Sequence, residues 1–473
     1  MRKFREPLSR KQISILPPSI EEYVNERDLV RYIDVLVDEM DLQLIESCYS
    51  EFGRPAYSPR VLLKIIFYGK MRGIRSSREL AQACKENLKF MFVAGHESPD
   101  FRTISDFRKT HHEHLGQLLG QTIEIGVRAG IIKLEHVAID GTKIGAFAGR
   151  RSFKSAKYLK EWLVRLQMKL KDSFQEDIVL DKEEELSLGD DYEMVLPEDI
   201  EDIKALREKI KEALKHYEAV EGEKPNAISI TDPESRFMKG KGINPSYNAL
   251  AAVDKDSRMV VGGYVTNAVS DNAELKPSLE EIHKNTGSNP AVITADKGFR
   301  AHEGLVELEK RVIDGYVPPP NPSSKNFTLE DFKYNADSDA YICPNDKILK
   351  FKSNSKTKGR NSKNYVCNEC QGCPLKEACM QKEGATRQLT VSVHQNLVDH
   401  MKIKTESEIG KQMAKIRLSV VEPLFGYLKA SKKLRQFFFR GQNMINSMWR
   451  LELAAYNLEK LAIMNKKIAL QAA

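Results

Sequence analysis

Residues 136–144 read HVAIDGTKI, and residues 291–299 read AVITADKGF. In each, an apolar run with strand character meets an aspartate, Asp140 or Asp296, and a glycine follows within two residues, Gly141 or Gly298. A buried carboxylate is costly unless it is paired or bound to a metal. Open α/β sheets place their sites at the carboxyl ends of strands, so two strands that each close on an acid point to one shared cleft. Gly141 and Gly298 are expected to let the backbone turn away sharply there and leave room for a substrate.

The rest of the chain must supply the layers around those strands. Residues 1–125 read as helical, with apolar residues three and four apart in SIEEYVNERDLVRYIDVLVDEM and SPRVLLKIIFYGKMRG. Ser76 and Glu79 form a capping-box pattern that starts a new helix. The junction carries Arg72, Arg75 and Arg78, which permits a helix-turn-helix reader of DNA, although a plain helical bundle fits as well. A helical hairpin is expected from 154–171 and 202–217. Between them, residues 172–202 hold fourteen acids and one lysine and read as a solvated loop.

YNALAAVD (247–254) and MVVGGYVTN (259–267) read as a β-hairpin. Asp271 with Glu274 reads as a helix cap. The AVITAD strand comes next, then a helix near 301–311 and a short strand at DGYVPP. Residues 319–386 read as irregular, and the chain is helical from about 395. The expected fold is an α/β core with two insertions. The boundaries are 1–125 for the helical N-terminal part, 126–150 and 225–318 for the first parts of the core, 151–224 for the acidic helical insertion, 319–386 for the Cys-rich insertion and 387–473 for the C-terminal part.

Charge narrows the partners. The chain carries a net charge of +7 over 473 residues. The window 401–441 holds ten Lys/Arg against three Glu, so it carries the whole excess. A concentrated basic segment suits a polyanion, nucleic acid first; a solvated helix face is the competing account. No apolar run approaches the roughly 20 residues of a membrane helix. No signal peptide follows the basic start, and a cytoplasmic, nucleoid-associated protein is expected.

Glu422, in RLSVVEPLFGYLK, is the one acid between Glu408 and Glu452 and lies inside that basic window. It is a candidate third carboxylate, with a surface ion pair to Arg417 or Lys429 as the plainer alternative. Five motifs then fall in order: HESPDFRTISDFR (96–108), VAIDGTKI, TDPESRFMKGKG with SYNALAAVD, ITADKGF and VVEPLFGYLK. The ordered set resembles bacterial insertion-sequence transposases of the DDE type, closest to the subfamily numbered eleven-eighty-two, over nearly the whole chain.

The resemblance implies an RNase H-like mixed-sheet core with Asp140, Asp296 and Glu422 as a catalytic triad binding two Mg²⁺ or Mn²⁺ ions. It departs from the wider family, which has Arg four residues and Tyr seven residues before Glu. Here those positions are Leu418 and Lys415, Arg417 stands five before, and Lys429 keeps the lysine seven after. Proline disfavours helical geometry in the residue before it, so Pro423 places Glu422 at a kink or helix start.

Arg417, Lys429, Lys432, Lys433 and Arg435 are the expected DNA contacts. Phe437–Phe439 and Trp162 are candidates to stack on bases, with core packing the favoured account, and His136 reads as a packing residue. Cys48 and Cys84 read as buried thiols. Cys343, Cys367, Cys370, Cys373 and Cys379 lie close together, a spacing that in a chain of this class suggests metal. The expected zinc set is Cys343, Cys370, Cys373 and Cys379, with Cys367 interchangeable; an iron–sulfur cluster and no metal at all are the alternatives. Its expected role is to staple an insertion that has no core.

The function that emerges is cleavage of element-end DNA and strand transfer into a target, by a homo-oligomer on the terminal inverted repeats. A DNA-binding derivative without catalysis and a nuclease that does not join are the rivals.

Overall fold

The computed structural model describes residues 19–50, 55–172, 200–220, 224–240, 242–319, 327–357, 360–380 and 386–471. The basic start and nearly all of the acid-rich 172–202 segment lie outside the described residues. The N-terminal part is helical, as its periodicity predicts: α1 (Ile20–Tyr23), α2 (Leu29–Asp38), α3 (Gln43–Glu46), α4 (Pro59–Met71), α5 (Ser77–Glu86), α6 (Leu88–Val93), α7 (Phe101–Thr110) and α8 (His112–Arg128). Helix α5 starts at the predicted Ser76 cap, but the Ser76 side chain makes no capping bond. Cys84 is buried in this layer, whereas Cys48 is exposed, contrary to expectation.

Strand β1 (His136–Gly145) follows, then a short ribbon of β2 (Phe153–Lys154) with β3 (Ile228–Ser229). Between them the predicted hairpin of α9 (Ala156–Asp172) and α10 (Ile200–Ala219) packs around Leu159, Leu166, Ile203 and Ile210. The main sheet continues with β4 (Arg236–Gly240), β5 (Gly242–Asp254), β6 (Val260–Thr266), β7 (Val292–Thr294) and β8 (Asp314–Tyr316). Its order is β4-β5-β1-β7-β8, with β6 also on β5. The β5–β6 hairpin is antiparallel, as predicted, and β1, β7 and β8 run parallel.

Helices α11 (Leu275–Thr286) and α12 (His302–Lys310) make the parallel crossovers. The expected capping box at Asp271 is not made. Helix α11 begins three residues later than that pattern implies, with Glu274 at its cap position, and the Asp271 side chain is used elsewhere.

The Cys-rich segment corrects the reading of an irregular, coreless insertion. It folds as a five-stranded antiparallel sheet of β9 (Lys333–Asn335), β10 (Ala340–Ile342), β11 (Ile348–Thr357), β12 (Arg360–Val366) and β13 (Gln388–Ser392). Phe332, Tyr341, Leu349, Tyr365, Leu389 and Val391 form its core. The alternation is there in the sequence, but Lys, Asn and Ser on the outward face give it a loop-like composition.

A short helix α13 (Lys376–Cys379) precedes β13. The chain closes with α14 (Gln395–Glu406), α15 (Glu408–Gly426) and α16 (Gln442–Gln471). Helix α16 packs against α8, β6, α2 and α4, so one continuous apolar core joins the N-terminal helices to the main sheet. No helix among the described residues is long and apolar enough to cross a membrane.

Candidate active site

The register of β1 on β7 sets the site. Ala138 pairs with Thr294, the last residue of β7, and Asp140 and Asp296 each lie two residues further on. The two acids therefore leave neighbouring parallel strands at the same level, as the sequence predicts. One local expectation fails: the backbone does not turn at Gly141, because β1 runs on to Gly145 in antiparallel pairing with β5.

Gly141 is needed for a different reason. A methyl group on it would lie 2.8 Å from Asp271 Oδ1 and 3.0 Å from Asn248 Oδ1. A methyl on Gly298 would lie 2.6 Å from Asp296 Oδ1 and 3.6 Å from Asp271 Oδ2. The two glycines thus admit a third carboxylate, Asp271, into the cleft of Asp140 and Asp296. Reading Asp271 as a cap missed this, because a capping pattern says nothing of long-range neighbours. The glycines beside both predicted acids were the one available signal.

Each acid is held in place. Asp140 Oδ2 accepts a hydrogen bond from Arg417 Nη1 at 2.7 Å, and Oδ1 accepts from the Gly141 N–H at 2.8 Å. Asp296 Oδ1 accepts from the Gly298 N–H at 2.6 Å. Asp271 Oδ1 accepts from Lys143 Nζ at 3.1 Å and from Asn248 Nδ2. Burial pushes the Asp140 carboxyl up to about 6; Arg417 and the Gly141 N–H oppose that rise, and the Asp296 charge adds to it. Arg417 also lines a cavity of about 250 Å³ with Asp296, Lys297 and Tyr316.

Glu422 lies on α15, the helix that delivers Arg417, and is exposed between buried Val421 and Leu424. Among the described residues no hydrogen bond or ion pair joins it to either aspartate. It is within the helix, not at its start. Pro423 has no N–H for the Ser419 carbonyl, and Arg258 Nη1 donates to that oxygen instead. The chain then enters a π-helical turn over Tyr427–Ser431.

The predicted DNA contacts divide. Lys429 donates to Thr142 Oγ1 and to the Lys143 carbonyl, which fastens the π-helical turn after α15 to β1. Lys432 is turned inward, donating to the Met71 carbonyl and pairing with Glu459, and burial lowers its pKa. Lys433 and Arg435 are exposed. Arg75 of the predicted reader turn is buried against Glu452. His136 is buried and bonded to Thr294 Oγ1 at 3.0 Å, a packing role as expected, and burial lowers its pKa. Phe437 is buried, while Phe438 is 59% exposed.

The donor chemistry in the cleft fits a hard divalent ion. Asp271 approaches the glycines beside Asp140 and Asp296, and the Oδ1 of fully buried Asn248 has no hydrogen-bond partner. Among the described residues no three His, Cys, Asp or Glu side chains are arranged to hold an ion; Arg417 and Lys143 neutralise Asp140 and Asp271 here.

The same holds for the cysteines, so the zinc expectation finds no support. Cys343, Cys367, Cys370, Cys373 and Cys379 are free thiols. Cys367 is buried in the core of the five-stranded sheet, which pushes its thiol up to about 11, and Cys343, Cys370 and Cys379 pack against that core.

Residues 18–110 match the family described as Transposase domain (DUF772), and residues 342–462 match the family described as Transposase DDE domain. These matches support a DDE-type transposase. The second contains Glu422, and Asp140, Asp271 and Asp296 fall outside both. No curated protein matches the chain.

Proposed function

We propose that the chain is a transposase of the DDE type that cuts element-end DNA and joins it to a target, in a cleft formed by Asp140, Asp296 and Asp271. The observation that carries this reading is the β1/β7 register, which brings two acids to one level beside glycines that open the cleft. The sheet order β6-β5-β1-β7-β8, with β5 antiparallel to both of its neighbours, supports an RNase H-like core.

Asp140, Asp296 and Asp271 would hold divalent metal, with Glu422 arriving from α15. Bound Mg²⁺ or Mn²⁺ would activate water and stabilise the leaving oxygen. Asn248 and Lys143 position Asp271, and Arg417 keeps Asp140 neutralised when no metal is bound. Lys433 and Arg435 would contact phosphates. Two ends must be brought together, so a homo-oligomer on the terminal inverted repeats is the working form.

A joining assay tests this. A labelled duplex of the DNA flanking the gene is incubated with the full chain, Mg²⁺ and a supercoiled plasmid, and the products are sequenced. Covalent end–plasmid junctions at one fixed end sequence are expected. Cleavage without junctions would leave a nuclease, and binding without cleavage a DNA-binding protein.

A further inference from the structure

A second site lies between the N-terminal helices and the segment that follows α15. Lys70 on α4 and Arg108 on α7 are buried, and the Arg75 side chain in the α4–α5 turn is 9% exposed, around one carboxylate, Glu452 of α16. Lys70 Nζ donates to Glu452 Oε1 at 2.6 Å. Arg75 reaches both carboxylate oxygens, at 3.1 and 2.9 Å. Arg108 has no carboxylate partner among the described residues; it donates to the Arg75 carbonyl and to Ser77 Oγ. Arg75 Nη1 and Arg108 Nε are buried with no hydrogen-bond partner. Three buried cations against one anion is an imbalance that protein interiors avoid.

An adjoining cavity shows what relieves it. It has a volume of about 400 Å³; its polar lining includes Arg75, Ser76, Ser77, Ser105, Arg108 and Lys109 with one acid, Glu452, and Leu434, Phe437–Phe439 and Met448 supply an apolar part. Ser76 and Lys109 are exposed, so it opens to solvent. Helix α5 starts at Ser77 without a side-chain cap, which leaves first-turn N–H groups to an incoming acceptor. Burial lowers Lys70 to about 8 and Arg108 to about 10, with the Glu452 charge opposing both shifts. Outside, Arg78 and Arg102 lie 5.0 and 5.7 Å from the Phe101 ring and line a recess that shares Ser76, Ser77, Ser105 and Lys109. One acid, Asp106, faces that recess and pairs with Lys109 at 3.8 Å.

We propose that this cavity is a phosphate-binding site, separate from the carboxylate cleft, and that its occupant is a backbone phosphate of DNA. Hydroxyls, guanidinium groups and an open helix start are the donors that phosphate takes. The row Arg102, Arg78 and Lys109 gives a strand a basic path to it. The DNA source rests on the transposase reading; the phosphate chemistry does not.

The test uses the full chain. Its melting temperature is read in inorganic phosphate against chloride at matched ionic strength, and duplex binding is measured in parallel. Saturating phosphate should raise Tm by about 2 °C in wild type. Ser77→Asp gives Arg108 a carboxylate at the helix start; it should raise Tm without phosphate and abolish the phosphate response. Ser105→Asp, on α7, should also abolish the response. Both variants should weaken duplex binding about tenfold or more. No saturable phosphate effect in wild type, or one undiminished in both variants, would overturn the site. A lost phosphate response with unchanged duplex binding would overturn the DNA assignment and leave free phosphate as the ligand.

Discussion

At the scale of single residues, the cleft depends on how five side chains, Asp140, Asp296, Asp271, Arg417 and Lys143, share charge. A metal ion needs Asp140 ionised, and burial holds its carboxyl at about 6. Protons should therefore compete with metal below that pH. Mn²⁺ affinity, read by electron paramagnetic resonance of the free ion, should fall roughly tenfold per pH unit below about 6; a flat profile from pH 7.5 to 5 would contradict the assignment. Asp271→Asn keeps the shape of the side chain and, since Asp271 caps no helix, should leave stability unchanged while weakening Mn²⁺ binding about tenfold. Asp140 and Asp296 were legible in the sequence because an acid that ends an apolar run is locally anomalous. Asp271 was not, because its partners Lys143 and Asn248 are 128 and 23 residues away.

At the scale of elements, glycines and one buried ion network set the spacing. Gly141→Ala would put a methyl against Asp271 and Asn248, so nicking of DNA should drop at least tenfold with little loss of stability; wild-type nicking would remove Asp271 from the cleft. Glu452 ties α16 to α4 and to the α4–α5 turn. Glu452→Gln leaves three buried cations without a counter-charge and should cost about 3–5 kcal/mol in urea unfolding. A change below about 1 kcal/mol would mean that the network is not structural.

Helices and the β5–β6 hairpin were readable from periodicity. The sheet of the Cys-rich segment was not, because its outward face is so polar that alternation looks like a loop. Pro423 misled in the same local way. Its effect on the helix is met by Arg258, a partner that only the folded chain supplies.

At the scale of the whole molecule, one apolar core runs from the N-terminal helices through the sheet to α16. The two matched segments, 18–110 and 342–462, flank in sequence the strands that carry the aspartates; α2 and α4 of the first pack on α16, and α15 of the second packs on β1 and β7. The N-terminal helices should therefore not be separable from the cleft: removing residues 1–125 should expose the apolar faces of α16 and yield insoluble protein, as read by gel filtration. The excess charge of 401–441 is partly turned inward, with Lys429 and Lys432 joining elements. Charge counting alone could not separate these from exposed Lys433 and Arg435.

The central claim is that Asp140, Asp296 and Asp271 form one cleft that cuts DNA. The most direct measurement incubates the full chain with the DNA flanking its gene, in Mg²⁺ or in EDTA, beside Asp296→Asn and Asp271→Asn. The account predicts Mg²⁺-dependent nicks at one fixed boundary, absent in Asp296→Asn and reduced at least tenfold in Asp271→Asn. Nicks that persist in both variants would contradict it.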